Sequence, residues 1–216
     1  MKITVLTLCF LVFAFTSQSP LHGAAEAALE PVIDTSGKKV RADAKYYITA
    51  VPFTICGFVS CFNGGGLALD NSIDDSCPLD VVVEKANEGL PLRFTPYDTK
   101  KGVVRVSTDL NIRFSEVDER CAHFSTVWKV DDSHDGSVGQ RVVTTGGALG
   151  NPGENTILNW FKIEKFDDAY KLVYCPTVCP SCKHDVCKDL GVFVDKNRRM
   201  HLATSDEPFK VKFQKA

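Results

Sequence analysis

The sequence predicts an all-β protein, a β-trefoil of twelve strands in three four-stranded units. Three observations carry that expectation. Helical periodicity is almost absent along the 216 residues. Short alternating or apolar runs recur instead, with Gly, Pro, Asn and Asp between them. These runs fall into three consecutive sets of four, each set about 50 residues long, which is the signature of a repeated four-stranded unit. The strand count alone is also met by a two-sheet sandwich.

The elements follow in order. The chain opens "MKITVLTLCFLVFAF", a basic start and an apolar run too short to span a bilayer, followed by polar and small residues. Residues 1–25 read as a secretory signal peptide cut after Ala25, leaving residues 26–216 as one domain. About 190 residues are enough for a full core. The first set of strands is "YYITAV", "GLALD", "DVVVE" and "PLRF"; the second is "LNIRF", "TVWKV", "QRVVTTG" and "WFKIEK"; the third is "YKLVYC", "GVFVD", "MHLATS" and "FKVKF". Tyr46, Tyr47, Trp128, Trp160 and Phe161 lie in or beside these runs and read as core aromatics.

Composition narrows the function classes. A formal charge of −2 with scattered Lys and Arg gives no footprint for nucleic acid. Beyond the leader no segment is apolar enough for a membrane helix. No G-x-S-x-G or H-E-x-x-H occurs, and His123, His134, His184 and His201 are dispersed, so an enzyme is the least expected class. "DDSHDG" has Asp131, Ser133, Asp135 and Gly136 at the spacing of a calcium loop, but Val142 stands where a bidentate Glu is required. It reads as a hairpin turn, and no cofactor is expected.

The chain has nine cysteines, and cleavage of the leader removes Cys9. An even set of eight in an oxidising compartment reads as disulfides, which outweighs a zinc site through Cys179, Cys182 and Cys187 or His184. Residue spacing alone leaves their connectivity open.

"DTSGKKVRADAKYYITAV", "CPLDVVVEKANEGLPLRFTP", "TDLNIRF", "STVWKVDD", "ILNWFKIEKFDDAYKLVYCPTVCPSC" and "RMHLATSDEPFKVKF" resemble, in order and to the C-terminus, the plant Kunitz-type family of soybean trypsin inhibitor. "STVW" and "YCPTVC" are most similar to its miraculin-like branch. The resemblance implies a β-trefoil and the bridges Cys77–Cys121, Cys175–Cys187 and Cys179–Cys182. Cys56 and Cys61 have no counterpart in that pattern and are expected to close on each other across a loop.

It also implies a secreted inhibitor of trypsin-like serine proteases, weak to moderate in strength, with a defence role in a plant. The apoplast or vacuole would be its destination and a monomer its expected state. The reactive loop falls on Thr95, Pro96, Tyr97, Asp98, Thr99, Lys100, Lys101 and Gly102. Lys100 is the expected primary specificity residue, with Lys101 as the alternative register, because a trypsin-like pocket has an acidic floor. Ala42 stands where inhibitory members carry a loop-supporting Asn, which favours a non-inhibitory binding, storage or defence protein as the alternative. For the branch's taste-modifying activity, Asn63, Glu88 and Asp167 occupy the places of two histidines and an interchain cysteine. Neither that activity nor a disulfide-linked dimer is expected.

Overall fold

Six strands close a barrel, and three two-stranded hairpins cap one end of it. The computed structural model describes residues 29–51, 54–56, 61–63, 65–70, 77–85, 87–98, 102–116, 119–132, 140–182 and 187–216. The leader, residues 1–25, therefore lies outside the described residues. In the barrel, β1 (Tyr46–Ala50) pairs with β6 (Leu92–Pro96), and β6 pairs with β7 (Leu110–Phe114). The bridge Leu110↔Phe161 carries β7 to the start of β10 (Lys162–Phe166). From there β10 pairs with β11 (Ala169–Tyr174), β11 with β14 (Lys210–Lys215), and β14 with β1. The ring is complete, which leaves no open edge in the barrel.

The caps are β4–β5 (Leu67–Leu69, Val81–Val83), β8–β9 (Lys129–Val130, Val143–Thr144) and β12–β13 (Lys188–Val194, Met200–Ser205). They meet one another through His201↔Val82, Asp80↔Thr144 and Val142↔Ala203. Each cap thus touches the other two, which is the threefold pattern of a trefoil.

The pattern in the sequence explains this geometry. In the barrel strands, alternate residues point inward. The pairs Ile48↔Phe213, Phe94↔Ile112 and Ile163↔Leu172 are equivalent, each joining the last strand of one unit to the first strand of the next. All six side chains are at most 1% exposed, so they form one closed layer of the core. Phe94 meets Phe213 edge-on at 5.6 Å within this layer, and Trp128 meets Phe161 edge-on at 6.2 Å in the same core. All twelve expected runs are strands or include one. A further hairpin, β2–β3 (Thr54–Cys56, Cys61–Asn63), stands where the sequence reading placed a loop. Its register puts Cys56 opposite Cys61.

Candidate functional site

The β6–β7 connection is built by a ladder that ends abruptly and a return arm that is clamped. The ladder runs from Leu92↔Phe114 to Pro96↔Leu110, and the Tyr97 N–H extends it by donating to the Asp109 carbonyl at 2.8 Å. Beyond this neck the chain leaves the barrel. Tyr97 is 59% exposed, and Asp98 is exposed as well. Thr99, Lys100 and Lys101 lie outside the described residues. The chain comes back through Gly102, whose φ of 57° lies in the region glycine adopts freely.

This places the expected reactive-loop residues unequally. Thr95 and Pro96 are not in the projecting loop: they belong to β6, paired with Asn111 and Leu110, and Pro96 is buried. The period of alternation continues through both residues, but only the partner strand decides where a ladder stops. The projecting part begins at Tyr97, whose ring packs edge-on against Trp160 at 6.2 Å. The Trp160 indole N–H donates to Thr156 Oγ1 at 3.2 Å, so this platform is itself fixed.

The return arm is clamped by the N-terminal segment. Residues 103–106 lie between two stretches of the N-terminal segment, with bridges Arg41↔Val103 and Pro31↔Arg105. The Val32 N–H donates to the Val104 carbonyl at 2.9 Å, and the Val104 N–H donates to the Val40 carbonyl at 2.9 Å. Val32, Val40 and Val104 are each fully buried, so apolar contact holds the clamp shut. The segment is strapped to the barrel in turn: the Ile33 N–H donates to the Tyr170 hydroxyl at 2.9 Å, and the Arg41 N–H to the Tyr46 hydroxyl at 3.1 Å.

Ala42 also differs from expectation. Its side chain offers no polar group, but its main-chain N–H donates to the Gly102 carbonyl at 3.1 Å. The loop exit is therefore supported by backbone at this position. Beside it, Arg41 Nε approaches Asp43 Oδ1 at 3.1 Å, and Arg93 Nη1 donates to the Asp43 carbonyl at 2.8 Å. The Asp43 main-chain N–H and then Arg41 hold the Asp43 carboxyl below the usual carboxylate range.

A second loop, between β11 and β12, is doubly cross-linked by Cys175–Cys187 and, nested within it, Cys179–Cys182. A third bridge joins Cys77 to Cys121. The side chains of Cys56 and Cys61, and residue His184, lie outside the described residues, as do Ser133 and Asp135 of the calcium-loop-like stretch. Among the described residues no cluster of three or more His, Cys, Asp or Glu side chains is disposed to hold a metal ion. Asp167 sits exposed in the tight β10–β11 turn at φ 52°, and Lys210 donates to it at 3.2 Å. Glu88 accepts from Gln214 at 2.6 Å.

The family described as "Trypsin and protease inhibitor", the legume Kunitz family, matches residues 32–215. The chain belongs to the legume Kunitz family. Among Kunitz relatives, the 21 kDa seed protein of Theobroma cacao is 41% identical over 99% of this chain and 94% of its own length. Miraculin of Synsepalum dulcificum is 43% identical over 97% of both chains. Kunitz trypsin inhibitor 5 of Arabidopsis thaliana is 42% identical over 88% of both. Among solved Kunitz structures, the cysteine protease inhibitor PCPI-3 from potato superposes with a TM-score of 0.72 at 35% identity, covering 87% of this chain and 98% of the other.

Proposed function

We propose that this Kunitz-family chain is a secreted inhibitor of trypsin-like serine proteases, acting as a monomer through the loop that begins at Tyr97. The observation that carries the reading is the clamped neck. One arm ends in a ladder closed by Tyr97 and Asp109, and the other is held by the Val32–Val40–Val104 cluster and the Ala42–Gly102 hydrogen bond. A loop held at both ends presents a substrate-like segment at reduced ordering cost and is cleaved poorly, and with no side-chain amide at Ala42 the inhibition is weak to moderate in strength. Lys100 is the primary specificity residue because its ammonium meets the acidic floor of a trypsin-like pocket. Residues 1–25 direct the chain into the secretory pathway, towards the apoplast or vacuole, and its kinship with Kunitz inhibitors gives it a defence role in a plant. The target class rests on the lysine, since the similar potato structure is of an inhibitor of cysteine proteases.

A second reading, a non-inhibitory storage or binding protein on the same scaffold, is favoured by the likeness to a seed protein and to miraculin. Titration of trypsin with the purified mature protein separates the two. Inhibition that Lys100→Ala abolishes supports the inhibitor. Loss in Lys101→Ala alone moves the specificity residue by one. Failure of the parent protein to inhibit at micromolar concentration leaves the second reading.

A further inference from the structure

Asp109, the first residue past the loop that begins at Tyr97, makes contacts in two directions. Its main-chain carbonyl closes that loop's neck by accepting the Tyr97 N–H at 2.8 Å. Its carboxylate turns the other way and accepts three contacts from the cross-linked β11–β12 loop. The Thr177 N–H reaches Oδ1 at 3.1 Å and Oδ2 at 3.3 Å, and the Thr177 hydroxyl reaches Oδ2 at 2.5 Å. Lys162 Nζ stands 4.0 Å from Oδ1. Asp109 is only 8% exposed, while Thr177, Pro180 and Ser181 of the held loop are exposed.

A buried carboxylate accepting directed hydrogen bonds is a strong, geometrically specific anchor, and it fixes position more sharply than apolar contact would. Covalent geometry puts the anchored nitrogens of Tyr97 and Thr177 within about 11 Å of each other. The Cys179–Cys182 bridge inside the Cys175–Cys187 bridge keeps the tip of the second loop from collapsing. One residue therefore holds an exposed residue of each loop, Tyr97 and Thr177.

We infer that Thr177–Ser181 forms a second contact with the protease bound at the Tyr97 loop, and that Asp109 is the positioning residue that sets the two loops in register. The inference rests on the inhibitor reading. A stiff second contact costs little entropy on binding and lengthens the life of the complex, so its effect falls on dissociation.

Hydrogen exchange of the mature protein tests it, free and with trypsin whose catalytic serine is replaced by alanine. In the free protein, Asp109→Ala speeds exchange in both 97–108 and 176–182. Thr177→Val, which alters only an exposed residue, speeds exchange in 176–182 alone, by about tenfold for the loss of one charge-assisted hydrogen bond. On adding the inactive trypsin, both segments of the parent protein become protected. Thr177→Val and the tip variant Ser181→Arg then raise the dissociation rate at least threefold, with little change in association. Protection confined to 97–108, with unchanged dissociation in Ser181→Arg, overturns the second contact and leaves the inhibitor reading intact. Unchanged exchange of 97–108 in Asp109→Ala overturns the positioning role. No protection in either segment, together with uninhibited active trypsin, overturns the inhibitor reading and the second contact with it.

Discussion

His201 lies on β13 where two caps meet, its side chain 10% exposed between two carboxylates. Nδ1 is 3.1 Å from Asp80 Oδ2, and Nε2 is 3.6 Å from Asp195 Oδ2. The first contact is off the axis of a well-formed hydrogen bond, since Nδ1 has no partner by strict geometry, but the charges still attract. Asp80, and then Asp195, raise the imidazole pKa above 6.5 despite burial. The folded state then binds the proton more tightly than the unfolded chain does. The stabilisation is complete below about pH 6.5 and is lost as pH rises through the raised folded value. We expect the melting temperature to fall across that window, and His201→Gln to flatten the profile in thermal melts from pH 5 to 9. A profile as steep in the variant as in the parent would exclude His201 as its source. Ala42 tests the loop at the same scale. It is the second residue of the turn closed by the Ala44 N–H to Arg41 carbonyl bond, a position that accepts proline. Ala42→Pro removes one donor while the turn remains. The net value of such a bond is about 1 kcal/mol, so inhibition of trypsin should weaken about fivefold with little change in melting.

Among the elements, the barrel strands were legible because a strand with one face in the core must alternate, as "LNIRF" and "FKVKF" do. The β2–β3 hairpin was not, since "TICGFVSCFN" has the glycine and serine of a loop and its pairing is settled only by the register that sets Cys56 against Cys61. The loop's location was readable, but its limits were not. Whether Thr95 and Pro96 belong to the strand depends on Asn111 and Leu110, and whether 103–106 is free depends on a segment more than 60 residues away in sequence. The anchor between Asp109 and Thr177, 68 residues apart, leaves no local trace at all. Close approach of elements is equally hidden. Gly66, at the entrance to β4, passes so near the Glu88 main chain that an added Cβ would overlap its carbonyl. Because the obstacle is backbone, it cannot rotate aside. We expect Gly66→Ala to destabilise the protein by about 1–3 kcal/mol in urea unfolding. A loss below 0.5 kcal/mol would mean that the Glu88–Gly89 turn moves without cost.

At the scale of the whole molecule, the threefold layer of Ile48, Phe94, Ile112, Ile163, Leu172 and Phe213 joins every unit to the next, so the core needs all three. Disulfides add to this unevenly. Cys175–Cys187 and Cys179–Cys182 close short loops within the third unit, whereas Cys77–Cys121 spans 44 residues and ties the first unit to the second. In the chain-entropy view a cross-link of that span removes about 4 kcal/mol of freedom from the unfolded chain. Neither cysteine lies in the β6–β7 connection: Cys77 precedes Pro78 at the first cap, and Cys121 ends a short 3-10 turn, Glu119–Cys121, after β7. Replacing both with serine should therefore act on the unfolded state and spare the loop. We expect the denaturant midpoint of the Cys77→Ser, Cys121→Ser double variant to drop by an amount equivalent to about 2–4 kcal/mol, while trypsin inhibition at 25 °C stays within twofold of the parent. Removing the Cys175–Cys187 bridge should lower stability and weaken inhibition together. Its shorter loop is worth about 3 kcal/mol on the same scale, but it also frees the segment that Asp109 holds, so dissociation from trypsin should quicken as well. Equal effects of the two bridges on inhibition would show that global stability, and not the placement of the β11–β12 loop, governs binding.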